Sequence, residues 1–181
     1  STVEGLTFTG REIDLKLTIQ YVDSDGDNAT DDLKFGIWVD NQLFGGDFLY
    51  LVDYVDSDHS MGKWLSVIPA AGSAGVSVTS IVKLAETFPT GLEMVTFSDF
   101  GIANGTYTGE QHKQYTGNLS NLNGTYLHAK MVIPSADGTF IKIGGKRAGT
   151  GIELKIYQNA AGVDIIHIKD SYNPGQTQGF A

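Results

Sequence analysis

The chain has 181 residues, of which 41% are hydrophobic and only 18% are charged; it carries a formal net charge of −9 and contains no cysteine. This composition excludes a disulfide framework and a thiolate metal site, and it disfavours nucleic acid and anionic lipid as partners because their phosphates would be repelled. No apolar run reaches about 18 residues, so we expect no membrane insertion, and the Gly-, Thr- and Asn-rich polarity is typical of extracellular or cell-surface β-proteins.

The first predicted element is an N-terminal arm, residues 1–9, in which Leu6 and Phe8 alternate with polar residues. Together with Val3, they are the apolar side chains of a strand that we expect to add to the open sheet edge of another subunit. The stretch LTFTGREIDLKL, residues 6–17, resembles the opening strand of the camelysin and TasA family of secreted biofilm-fibre proteins. The resemblance implies a jelly-roll subunit that polymerises with copies of itself by donating residues 1–9 as a strand.

Alternating apolar and polar residues predict four half-buried strands, at 12–21, 33–39, 127–133 and 152–156. Short apolar runs predict strands buried on both faces at 48–55 and 163–168, with weaker candidates at 64–68 and 76–79. Helix signals are poor because 23 glycines interrupt the chain. The pattern predicts an all-β fold, an antiparallel β-sandwich or jelly roll with little or no helix.

We expect this sandwich to be one domain spanning residues 10–170. Its connection 98–125 shows no alternation and is too long for an ordinary loop, so it is interpreted as a functional loop, an arm or a hairpin. The C-terminal tail, residues 171–181, combines Gly, Gln and Pro, which predicts a segment that needs a neighbouring subunit to hold it.

An acidic loop, DSDGDNATDD at residues 23–32, follows the first predicted strand. Its closely spaced carboxylates and small residues indicate a calcium site, because calcium takes six to eight oxygen ligands in irregular geometry. The expected ligands are Asp23, Asp25, Asp27, Asp31 and Asp32. The related stretch YVDSDHS would add Asp56 and Asp58 if the two turns meet. The alternative is that both stretches are solvated strand-end turns.

Catalytic motifs are absent from the sequence. It contains no GxSxG, no HExxH and no phosphate-binding loop, and its four histidines, at 59, 112, 128 and 167, lack metal-ligand spacing. We therefore expect no enzymatic activity.

Aromatic residues on predicted surfaces offer a carbohydrate-binding alternative, because exposed rings stack on sugars. The candidate stacking residues are Trp38, Trp64 and Tyr126. Trp38 belongs to the outward-pointing set of its strand, and the competing interpretation places it beneath a loop or in the second face of the sandwich.

Four Asn-x-Ser/Thr sequons predict N-glycosylation at Asn28, Asn104, Asn118 and Asn123. Taken together, the sequence favours an extracellular, self-assembling structural subunit of a pilus, fibre or sheath, joined by strand exchange and stabilised by calcium. The alternative function is a secreted module that binds polysaccharide through surface aromatics and contains a structural calcium ion.

Overall fold

The computed structural model describes residues 8–54, 62–80, 88, 91–144, 152–158, 161, 163–170 and 177–180. Within these ranges the chain forms two sheets, and its helical segments are two 3-10 turns, Phe44–Gly46 and Phe97–Phe100. In chain order, the strands are β1 (Glu12–Val22), β2 (Asp32–Val39), β3 (Gln42–Leu43), β4 (Leu49–Leu51), β5 (Trp64–Ile68), β6 (Val76–Ser80), β7 (Glu93–Thr96), β8 (Gly105–Tyr107), β9 (Gln111–Gln114), β10 (Thr125–Val132), β11 (Thr139–Ile143), β12 (Ile152–Gln158), β13 (Asp164–Asp170) and β14 (Thr177–Phe180). Over the same ranges, no helix has the length and apolar character needed to cross a bilayer.

The first sheet has the strand order β3-β2-β1-β10-β6-β8, with β4 also pairing with β2 and β7 with β10. The second sheet has the order β14-β13-β12-β11-β5-β9. Pairing is antiparallel except between β7 and β10, which run parallel. The predicted all-β, antiparallel class is confirmed.

The hydrophobic core lies between the two sheets. Alternate residues of β1, from Ile13 to Ile19, are buried on the inner face of the first sheet. They belong to one continuous apolar cluster with Val67 of β5 and Ile141 of β11, which come from the second sheet. The strict alternation in β1 therefore has the cause expected from sequence, since every second side chain faces a common core.

The apolar run 48–55 does not form a strand buried on both faces, so that prediction is wrong. Its strand, β4, spans Leu49–Leu51, and the side chain of Tyr50 between the two buried leucines is 43% exposed. The pairing of β4 with β2 turns Leu49 and Leu51 towards the core. The intervening residue must then point to the opposite face, because successive side chains of a strand alternate.

The long connection 98–125 contains two short strands that join the edges of the two sheets. Strand β8 pairs with β6 in the first sheet, whereas β9 pairs with β5 in the second. The connection therefore crosses from one layer to the other at this side of the sandwich. The two strands do not pair with each other, so the hairpin interpretation is wrong. Neither strand was predicted, because neither has an alternating apolar pattern.

The C-terminal tail is held in part by its own domain. Residues 177–180 form β14, which pairs with β13 from Thr177 opposite Lys169 to Phe180 opposite Ile166. The expectation that the tail requires a neighbouring subunit is therefore wrong for these four residues, since they pair with a strand of their own chain. Residues 171–176 and 181 lie outside the described ranges.

Candidate metal centre

The acidic loop connects β1 to β2 and folds back on itself. Asp23 accepts hydrogen bonds from the backbone N–H of Gly26 (2.8 Å) and of Asn28 (3.0 Å), one on each carboxylate oxygen. Gly26 and Asn28 both have positive φ, 82° and 70°, a conformation that glycine and asparagine adopt at low cost. These local bonds turn the short acidic side chains towards one another.

Asp32 anchors the loop to the sandwich. Its fully buried carboxylate accepts hydrogen bonds from the backbone N–H of Ser24 (2.7 Å), from the Ser24 hydroxyl (2.5 Å) and from the backbone N–H of Asp53 (2.9 Å). Burial raises the pKa of Asp32, but these hydrogen bonds outweigh it and the net pKa lies below the usual value. Asp32 is therefore ionised at neutral pH, and it ties the loop to the end of β4.

Six aspartate carboxylates converge on this point as three overlapping groups, each with ligand oxygens within 4.8 Å of one another. The groups are Asp23, Asp25 and Asp27; Asp25, Asp32 and Asp53; and Asp27, Asp31 and Asp53, and their union is six aspartates. Every ligand predicted within the loop belongs to at least one group. Such a set of hard oxygen donors has the chemistry that calcium requires.

Asp53 is the member that sequence reasoning missed. It lies two residues beyond Leu51, which pairs with Leu33, so the β2–β4 register brings it beside Asp31 and Asp32. Asp53 also has a positive φ of 53°, typical of a tight turn. The sequence does place Asp53 two residues after Leu51, the last residue of β4. Assigning Asp53 to the carboxylate groups, however, required knowing that β4 pairs with β2. Asp56 and Asp58, predicted from the second acidic stretch, lie outside the described residues.

The electrostatics of the groups favour a bound cation. Burial, together with the neighbouring Asp27, Asp53 and Asp32, raises the pKa of Asp31. For Asp25, a hydrogen bond from the backbone N–H of Asp27 lowers the pKa, yet desolvation and the nearby acids outweigh it and the net pKa is raised. Both shifts express unfavourable negative charge, which a divalent ion would neutralise.

One carboxylate oxygen at the centre has no hydrogen-bond partner. Oδ1 of Asp31 is buried from solvent and no donor within the described part of the chain reaches it. A buried charged acceptor without a donor is costly, because it has lost its water without replacing it. Its position in a group with Asp27 and Asp53 makes it a natural metal ligand.

The predicted glycan-stacking residues do not form a surface platform. Tyr126 is 4% exposed and its ring centroid lies 4.9 Å from that of Phe88, so its assignment as a stacking residue is wrong. Trp38 is half-buried between Phe48 and Phe88, at centroid distances of 6.1 and 5.1 Å. The competing interpretation of Trp38, beneath a connecting segment, therefore agrees with the structure. Trp64, on β5, is also half-buried.

The N-terminal arm is described only from Phe8 onwards, so Val3 and Leu6 lie outside the described residues. Phe8 is fully buried in the core of its own domain, where its ring packs edge-on against Phe44 at 5.5 Å. A donor strand that reaches a neighbour while Phe8 keeps this position would consist of residues 1–7 alone. The prediction that Phe8 belongs to the donor strand is therefore wrong when its ring occupies the core of its own domain.

The four sequon asparagines, at positions 28, 104, 118 and 123, are all exposed. Two of them also accept backbone hydrogen bonds through Oδ1, Asn104 from Ser80 and Asn123 from Tyr21. All four side chains are accessible to a glycosylating enzyme, and glycosylation at these sites stays a prediction.

His112 forms polar contacts with two side chains. Nδ1 of His112 lies 2.8 Å from Oγ of Ser66, and its Nε2 lies 3.1 Å from Glu110. Although this links serine, histidine and glutamate, Ser66 is only 5% exposed and is the direct cross-strand neighbour of His112. We interpret the contact as a bond between paired strands.

Comparisons with known proteins found no matching family model, no similar curated protein and no similar solved structure. The resemblance of residues 6–17 to the camelysin and TasA family therefore stays a prediction.

Proposed function

We propose that the protein is an extracellular structural subunit in which calcium, bound by the acidic loop, ties the loop to the end of β4. The observation that carries the calcium proposal is the buried Oδ1 of Asp31, which lacks a donor and faces other carboxylates. A divalent ion supplies the missing partner and removes the repulsion that raises the pKa of Asp25 and Asp31.

The donor set favours calcium over other biological cations. All members of the three groups are aspartates, so the imidazole and thiolate ligands that zinc prefers are not among them. Magnesium demands near-ideal octahedral geometry and keeps several waters, whereas calcium accepts six to eight oxygens in irregular positions. An irregular loop that brings six carboxylates together suits the more tolerant ion.

Calcium binding is tested by calorimetric titration of the purified protein. We expect a dissociation constant of about 0.1–1 mM, the range of extracellular calcium modules. The double substitution Asp31→Asn and Asp53→Asn should weaken binding about tenfold or more, because it removes two charges from the ligand set. Glu93→Gln, an equally conservative change at an exposed residue outside the groups, is the matched control. Absence of calcium heat from the unaltered protein would refute the proposal.

Head-to-tail assembly is the structural role that the layout supports. The chain enters β1 near Thr9 and leaves it at the acidic loop, so Thr9 and the proposed calcium centre lie at opposite ends of that strand. Eleven residues of extended strand place them about 35 Å apart. A contact between the arm of one copy and the opposite end of the next copy would be heterologous, which is the kind of contact from which filaments grow.

Sedimentation velocity tests the assembly. At high concentration with calcium present, we expect the full chain to form large species and the variant Val3→Asp, Leu6→Asp to remain monomeric, because charge would replace two apolar side chains of the arm. The variant Ser1→Asp, Thr2→Asp adds the same charge at polar positions of the arm and should still assemble. A full chain that sediments as a monomer under these conditions would remove the assembly proposal and leave calcium binding intact.

A further inference from the structure

A groove opens beside the acidic loop on the outer face of the first sheet. It is lined by Val22, Asp23, Ser24, Lys34, Tyr50 and Val52, and its volume of about 570 Å³ lies within the usual range for small-ligand sites, about 300–1,000 Å³. Strands β1, β2 and β4 supply its floor through the pairings of β2 with both neighbours. The groove was not recognised from sequence because it depends on the β2–β4 register.

Exposed apolar surface concentrates in this groove. Within the described part of the chain, the large hydrophobic side chains classed as exposed are Tyr50 (43%), Val52 (36%) and Val163 (43%). The first two line the groove. An exposed aromatic ring beside an exposed aliphatic side chain offers a flat apolar surface on which a ligand can pack.

Polar groups of both signs border the same surface. Asp23 is an acceptor, and Lys34, whose Nζ lies 4.2 Å from the ring centroid of Phe48, is a donor with a restrained position. A sugar ring matches this combination, because its C–H face stacks on an aromatic ring while its hydroxyls donate to a carboxylate and accept from an ammonium group.

The charge of the surroundings selects among saccharides. The protein carries a net charge of −9, and the groove adjoins the aspartates of the calcium centre, so an anionic polymer would be repelled. An apolar donor strand from another copy fits less well, because covering Asp23 and Lys34 with aliphatic side chains would desolvate both charges without a partner. We propose that this groove binds a neutral, hydroxyl-rich polysaccharide.

The inference rests on the proposed function because calcium would position Asp23 and Ser24, which form one wall of the groove. Asp23 belongs to the first carboxylate group, and Ser24 is bound to Asp32 through its backbone N–H and its hydroxyl. A cation that holds these residues would pre-organise the groove, and binding without calcium should be weaker.

Affinity gel electrophoresis measures the binding, in gels that contain soluble β-glucan, xyloglucan, galactomannan or starch, with alginate as the anionic comparison. We expect retardation in at least one neutral gel and none in alginate. Tyr50→Ala should weaken binding about tenfold, Tyr50→Phe should retain it, and Val163→Ser is the control for loss of an equally exposed apolar side chain. Thermal unfolding of each variant verifies that it is folded.

The outcomes separate the two proposals. Retardation that depends on Tyr50 while calorimetry detects no calcium would support the groove and refute the calcium centre. Calcium binding without retardation in any neutral gel would overturn the groove proposal alone. Loss of self-association in Tyr50→Ala, without any effect on polysaccharide binding, would assign the groove to a second copy of the chain and also overturn it.

Discussion

The carboxylate of Asp164, at the start of β13, accepts hydrogen bonds from the backbone of Phe8 and Thr9 at the end of the N-terminal arm. It accepts hydrogen bonds from the N–H groups of Phe8 (2.8 Å) and Thr9 (3.1 Å) and from the Thr9 hydroxyl (2.8 Å). Both partners are buried, and 155 residues separate them in sequence. This bond network joins the second sheet to the point where the chain enters the first.

Replacing Asp164 with asparagine should destabilise the protein by about 2 kcal/mol, because it removes the negative charge that strengthens the hydrogen bonds from the two backbone N–H groups. Urea unfolding measures the change. Thr9→Val removes only the hydroxyl contact and should cost less. Equal stability of Asp164→Asn and the unaltered protein would show that the network contributes little.

Phe8 provides a test of where the arm is held. Phe8→Ala should cost about 3–5 kcal/mol, because it empties a fully buried site against Phe44. The loss should be the same in dilute and concentrated protein if the ring fills its own core. A loss that appears only at high protein concentration would instead place the Phe8 ring in a neighbouring subunit.

The acid stability of the protein should depend on Asp14. Its carboxylate lies 2.9 Å from Nε2 of His128 and 3.0 Å from Nζ of Lys16, both of which are buried. Burial raises the pKa of Asp14, but the hydrogen bonds and charges of His128 and Lys16 outweigh it, so the net pKa lies below the ordinary value.

A carboxylate whose pKa is lower in the folded state stabilises the protein fully above its unfolded pKa and loses that contribution as the pH falls through its folded pKa. We therefore expect the free energy of unfolding to decline below about pH 4. Asp14→Asn should flatten this decline while lowering stability at neutral pH. Urea unfolding between about pH 2.5 and 7 measures both effects; an unchanged acid limb in the variant would contradict the assignment.

The ring of Phe88 should control the environment of Trp38. It packs at 5.1 Å from Trp38, and Nζ of Lys16 lies 4.6 Å from its centroid. Phe88→Ala should therefore shift Trp38 emission to longer wavelength and lower stability by about 1.5–3 kcal/mol, as expected for loss of a half-buried ring.

The emission shift is best read in a Trp64→Phe background, since the chain contains two tryptophans. Iodide quenching of the remaining Trp38 gives an independent measure of its exposure. If emission and quenching are the same with and without the Phe88 ring, the aromatic cover over Trp38 is absent in solution.

The class of the fold and part of the carboxylate cluster could be predicted because their signals are local. In β1, Leu15, Leu17 and Ile19 alternate with polar residues, and that spacing alone indicates a strand with one face on a core. The aspartates from Asp23 to Asp32 lie within ten residues, so a short loop necessarily keeps them close. In both cases residues that act together are neighbours along the chain.

The rest depended on contacts between residues distant in sequence. Tyr126 has the sequence position of an outward-facing strand residue, yet it is buried because Phe88 packs on it. Asp53 joins the carboxylates, and Tyr50 joins the groove, through the pairing of β4 with β2. The alternation of a strand specifies that a side chain points away from the core, but what then covers that side chain is decided by where other segments pack, and therefore by the tertiary structure.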